Sequence, residues 1–133
     1  MIVLDASVLA NVVADDGPIG TAARARLAAA IEASIPDLAD VETVAVLRKR
    51  WVAGDLTARR FRHAIDDLLA LPLTRFPVGA LMKRAYELRA NVTAYDAAYV
   101  ALAEALACSL VTGDARLARA AGVRCEVEVF KVR

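Results

Sequence analysis

Four carboxylates stand where they could act together: Asp5, Glu42, Asp96 and Asp114. Asp5 follows the apolar run Ile2-Val3-Leu4, which reads as a strand buried on both faces. Asp114 follows a second such run, Ser109-Leu110-Val111-Thr112, after a single glycine. In an open parallel α/β sheet, ligands bind outside the carboxyl ends of the strands. Neighbouring parallel strands would therefore open both carboxylates on one edge. Asp96 begins a strongly apolar helix leading into the second strand, and Glu42 lies in the second turn of a helix after a short strand around Ile35. Each acid alone is explained by ordinary helix chemistry, since Asp is a preferred N-cap and acids suit the positive end of a helix. Gathered on one edge, four carboxylates repel one another by several kcal/mol unless a cation lies among them. Oxygen ligands without His or Cys suit a hard cation, Mg²⁺ or Mn²⁺. Such sites typically handle phosphate esters.

The elements that must position these acids follow from the apolar pattern. Helices are expected over about 6–14, 21–33, 38–53, 57–71, 78–89, 95–107 and 115–121. Strands are expected over 2–4, 34–36, 73–76 and 109–112, with 123–130 forming one or two more. Asp15-Asp16-Gly17-Pro18, Gly54, Pro72 and Gly122 punctuate them. Leu27 and Ile31 face inward from the second helix. Val41, Val44, Ala45, Leu47 and Val52 are the apolar positions of the third, and Phe61, Ile65, Leu68 and Leu69 form the inner stripe of the fourth. Strand–helix units with extra helices, and no hairpin signal, give an α/β fold: three α/β/α layers around a central parallel sheet of four to five strands, in a single domain over 1–133.

Composition narrows the function. The 133 residues are 59% hydrophobic with a net charge of +1, so nucleic-acid binding needs a local basic patch. Candidates are Arg116, two residues from Asp114, and Arg48, Lys49 and Arg50 on the Glu42 helix, with Arg59, Arg60 and Arg62 further on. Trp51, Tyr95 and Tyr99 are expected to pack, the two tyrosine hydroxyls near the site rim. No apolar run approaches the roughly 18 residues of a membrane span, and Asp5 interrupts the first run early, so a cytoplasmic location is expected. Cys108 and Cys125 fit no zinc spacing and read as buried thiols, and a lone His63 disfavours a histidine-based triad. GxGxxG and GxxxxGK are both absent.

Met1-Ile2-Val3-Leu4-Asp5-Ala6-Ser7, Glu42 within 36–42, Asp96 within 93–99 and Thr112-Gly113-Asp114 together resemble the PIN-domain ribonucleases, more narrowly the VapC toxins of bacterial toxin–antitoxin pairs. The resemblance spans nearly the whole chain. It implies an Mg²⁺-dependent endoribonuclease (Mn²⁺ being an alternative), cleaving RNA by a metal-activated water. It implies Asp5, Glu42, Asp96 and Asp114 as metal ligands and catalytic acids, with Ser7 and Thr112 as the small hydroxyls beside the metal. It also implies a cognate antitoxin that neutralises the protein, and a homodimer. The first, second and fourth helices carry enough apolar positions for a partner-helix groove. One departure stands out: many members carry a further Asp or Asn shortly after the fourth acid, where this chain has Ala115-Arg116-Leu117. Two other readings remain. One is a catalytically silent PIN-like module that binds RNA or protein. The other is a receiver-like phosphoacceptor domain, which wants an acid pair where Asp5 is followed by Ala6-Ser7, and a lysine for which only Lys131 is at hand.

Overall fold

The computed structural model describes residues 1–130. Its centre is β1 (Ile2–Leu4), every residue of which is buried. That burial explains the unbroken apolar run, because neither face of the strand meets water. The sheet has five parallel strands in the order β3-β2-β1-β4-β5, with β2 at Ala33–Pro36, β3 at Leu73–Phe76, β4 at Ser109–Thr112 and β5 at Val127–Val129. Val3 is opposite Ser34 on one side and Leu110 on the other. The carboxyl ends of β1 and β4 therefore lie side by side, and the Asp5 amide donates to the Val111 carbonyl at 3.1 Å.

Helices α1 (Ala6–Ala14), α2 (Pro18–Ala29), α3 (Leu38–Val52) and α4 (Ala58–Ala70) pack with one another, α1 touching the other three. Helix α5 (Met82–Glu87) packs on α6 (Ala94–Ala105), which lies against β1, β2 and β4. Helix α6 is buried at every position from Ala97 to Ala103, as its apolar composition requires. Among the described residues no helix is long and apolar enough to cross a membrane.

Several expected boundaries move. Helix α2 starts at Pro18 and ends at Ala29, three residues early at its start and four at its end. Proline suits the first turn of a helix. At the other end, Ala33 and Ser34 are claimed by pairing with Ile2 and Val3, which a helix cannot satisfy. Ile31 lies in the connection and is 98% exposed, not inward. The segment expected as a helix over 78–89 is a 3₁₀ turn (Val78–Leu81) followed by the six residues of α5. That expected over 115–121 shrinks to a 3₁₀ turn at Leu117–Arg119, and the last strand is single. Val41, Val52 and Leu69 are exposed, as are Trp51 and Tyr95, which were expected to pack. Each lies on a helix flank left open to solvent among the described residues. Lys131 lies outside the described residues.

Candidate active site

The four acids reach one cleft from four different elements. Asp5 follows β1, Glu42 is in the second turn of α3, Asp96 is in the first turn of α6, and Asp114 follows β4. The cleft has a volume of about 830 Å³ and is lined by all four, together with Ser7, Tyr99, Gly113, Arg48, Lys49 and Arg116.

Asp5 is the innermost, only 8% exposed. Its Oδ1 caps α1 by accepting from the Val8 amide at 3.2 Å, and also accepts the Ser7 hydroxyl at 2.6 Å. Its Oδ2 accepts the hydroxyl of Thr112, a fully buried residue. Thr112 Oγ1 in turn accepts the Asp114 amide at 3.0 Å, and Ser7 Oγ accepts the Gly113 amide at 3.2 Å. Two hydroxyls thus tie the end of β1 to the turn after β4. Burial raises the Asp5 carboxyl above the ordinary aspartate range, and the Ser7, Thr112 and Val8 donors pull it partly back.

The other acids are held in different ways. Glu42 Oε1 accepts the Tyr99 hydroxyl at 2.7 Å. Asp96 is not the cap of α6: Thr93 is, accepting the Asp96 amide at 3.2 Å. The Thr93 side chain in turn hydrogen-bonds the Asp96 carboxylate and lowers its proton affinity. Asp114 accepts the Arg116 amide at 2.9 Å, and the Arg116 guanidinium binds both its oxygens at 3.0 and 2.9 Å.

Mutual repulsion is visible in their proton affinities. Burial raises Glu42, and the charges of Asp96 and Asp5 add to the rise. Burial likewise raises Asp96, helped by the charges of Asp114 and Asp5. Asp114 is lowered, because Arg116 stabilises its anion. Among the described residues no three acid, His or Cys side chains, as oriented, form a group that could hold a metal ion by themselves. Asp5, Glu42 and Asp114 each engage a protein donor instead. The donor set is nonetheless all oxygen, and the repulsion felt at Glu42 and Asp96 is the imbalance that a hard cation corrects.

Tyr99 is the residue that sequence reasoning undervalued. It is 2% exposed, as a core residue should be, yet its hydroxyl orients Glu42. The available signal was its place three residues after Asp96, hence on the same helix face. Arg48, Lys49 and Arg116 line the cleft. Arg50 turns away, donating to the Asn11 Oδ1 at 2.7 Å. Arg60 pairs with Asp16, and Arg59 and Arg62 line a separate shallow pocket with His63. Cys108 and Cys125 are free, partly buried thiols in a second cavity with Met1 and Ser109, at the opposite edge of the sheet. Burial raises both, Cys125 to about 11.

Comparison with known proteins agrees with this geometry. The PIN domain family matches residues 2–123. The VapC ribonuclease of Mycobacterium bovis is 43% identical over 129 residues, covering 97% of this chain and 98% of the relative. Ribonuclease VapC1 of Mycobacterium tuberculosis is 37% identical over 130 residues, covering 97% of each. Among solved structures, Mycobacterium tuberculosis VapC20, described as a sarcin–ricin loop cleaving toxin, superposes with a TM-score of 0.66 at 17% identity, covering 83% of this chain and 87% of that one. VapBC2 from Rickettsia felis, solved with a DNA fragment from its promoter, gives 0.66 at 15% identity over 98% and 100%. These two share the fold. With family, relatives and fold in agreement, the chain belongs to the PIN-domain family and, within it, to the VapC ribonucleases.

Proposed function

We propose that this protein is a divalent-metal-dependent endoribonuclease and the toxin half of a toxin–antitoxin pair. The observation that carries this reading is the convergence of Asp5, Glu42, Asp96 and Asp114, from four elements, on one cleft that also holds three cationic side chains. Asp5, Asp96 and Asp114 are the principal candidates to hold Mg²⁺, with Mn²⁺ as an alternative, and Glu42 binds through water or orients the nucleophile. A bound divalent ion supplies a water of lowered pKa and stabilises charge on the leaving oxygen.

The chain's own residues do the rest. Ser7 and Thr112 fix the Asp5 carboxylate through its two oxygens, so it needs little reordering when the site loads. Tyr99 fixes one oxygen of Glu42 and leaves the other for an attacking water. Arg48, Lys49 and Arg116 give the RNA phosphates a cationic approach. Attack by water with the 3′ oxygen as leaving group breaks the P–O3′ bond and leaves a 5′-phosphate and a 3′-hydroxyl.

Two solved structures of the same fold, VapBC2 bound to a DNA fragment from their promoter and FitAB bound to a DNA fragment, support a protein partner here, which we take to be the antitoxin. The homodimer remains part of the proposal. The test is incubation of the purified protein with total cellular RNA, with Mg²⁺ or with EDTA, beside Asp96→Asn. Mg²⁺-dependent fragments with 5′-phosphate ends, absent in Asp96→Asn, are expected. Cleavage undiminished by EDTA or by the substitution overturns the mechanism. RNA binding without any cleavage points instead to a silent module.

A further inference from the structure

We infer that Arg116 is an internal counter-cation that latches Asp114 until a divalent ion enters, and then passes to an RNA phosphate. The inference rests on the metal-dependent reading above and deepens it. Three bonds join these residues: the Arg116 amide and Nε to Oδ1 at 2.9 and 3.0 Å, and an Nη to Oδ2 at 2.9 Å. Both oxygens of Asp114 are therefore occupied by a single side chain two residues away. The Arg116 side chain is 85% exposed, so water competes for it at every moment. It stands in the same cleft as Asp5, Glu42 and Asp96, and it also feels the charge of Asp96.

The latch is weak by construction. An exposed ion pair of good bidentate geometry shifts an equilibrium by a factor of about 2–5. A divalent ion shared by several carboxylates outcompetes one guanidinium by far more than that. Once Asp114 turns to the ion, the released guanidinium has lost its partner while staying tethered at the cleft. A phosphodiester offers it the same bidentate oxygen geometry. Metal and RNA should then bind with positive coupling through Arg116, and the coupling must be reciprocal.

The experiment is an NMR titration of the full chain, labelled with ¹⁵N, following the arginine Nε–H signals and the backbone amides. Arg116→Lys identifies the Arg116 signal by its loss. Without metal, that signal is expected to exchange with water about 2–5-fold more slowly in the wild type than in Asp114→Asn. Mg²⁺ is expected to speed that exchange in the wild type while shifting the amides of Asp5 and Asp96. The amide titration should also show Arg116→Lys binding Mg²⁺ about 2–5-fold more tightly than the wild type. A thymidine octanucleotide, used as the phosphate probe, should perturb the Arg116 signal more strongly with Mg²⁺ than without. If Mg²⁺ shifts the Asp5 and Asp96 amides but leaves the Arg116 exchange unchanged, the latch is refuted and the metal site stands. Tighter binding in Arg116→Gln but not in Arg116→Lys also refutes it, because charge alone then accounts for the gain. If Mg²⁺ shifts no amide in any variant, the metal reading falls and takes the latch with it.

Discussion

Replacing Thr112 by valine removes one hydroxyl and keeps the shape of a fully buried side chain. That hydroxyl donates to Asp5 and accepts the Asp114 amide, so the substitution loosens two acids of the cleft without opening a cavity. A hydrogen bond to a charged acceptor contributes about 1.5–3 kcal/mol, and Asp5 is too deep for water to replace it fully. Unfolding entropy near 2.1 cal/mol/K per residue gives about 0.28 kcal/mol/K for 133 residues, so the melting temperature should fall by about 5–11 °C at pH 7. The pH dependence is the sharper check. Burial already holds Asp5 above the ordinary aspartate range, and losing Thr112 removes one of the groups that pull it down. The ionised form is therefore the one penalised by the substitution. The stability gap should be full above the variant's Asp5 pKa and shrink as pH falls through the wild-type value. Thermal and urea unfolding followed by circular dichroism, from pH 8 to pH 4, measure both quantities. A melting temperature within about 2 °C of wild type, or a gap that stays constant across that range, would refute the claim that Thr112 supports a charged Asp5.

Tyr99→Phe removes only the donor to the half-buried Glu42 carboxylate, which water can partly re-solvate, so it should cost about 1–2 kcal/mol and reduce RNA cleavage more than RNA binding; urea unfolding and an anisotropy titration separate the two. Gly20→Ala should be far more damaging, because an added Cβ would stand 1.8 Å from the Asp15 carbonyl oxygen, and a loss of about 3 kcal/mol or more is expected by denaturant unfolding. Away from the cleft, partial burial raises Glu104, yet the Arg84 guanidinium at 2.7 Å and the Arg124 amide at 2.7 Å hold its carboxyl below the usual glutamate range. Its contribution is present above that range and lost as pH falls through the depressed value, so Glu104→Gln should cost about 1–3 kcal/mol at pH 7 and progressively less in acid.

Much of the active-site layout is written in local chemistry. An apolar run as short as Ile2-Val3-Leu4 has no solvent face, so it must be a central strand, and the acid that follows it must stand at the sheet's carboxyl edge. The same holds for β4 and Asp114. The punctuation at Gly17-Pro18, Gly54 and Pro72 likewise marks where helices must begin or end. Element lengths were less legible. The stretch around Ile31 has helical spacing, but β1 needs Ala33 and Ser34 as partners, and a long-range ladder outweighs local periodicity. The apolar stripes of α3 and α4 show that an inner face exists, without showing how wide the covering element is, which is why Val41, Val52 and Leu69 end up exposed.

What the sequence determined by itself was the set of acids and the sheet edge they share, because both follow from residue type and from the periodicity of the elements that carry them. What only the tertiary structure decided was the distant partner of two of the acids: the Thr112 hydroxyl for Asp5 and the Tyr99 hydroxyl for Glu42. Thr112 lies 107 residues from Asp5, and Tyr99 lies 57 from Glu42. No local pattern encodes such pairings. They exist because β4 pairs with β1, and because α3 and α6 bring their side chains into a common cleft.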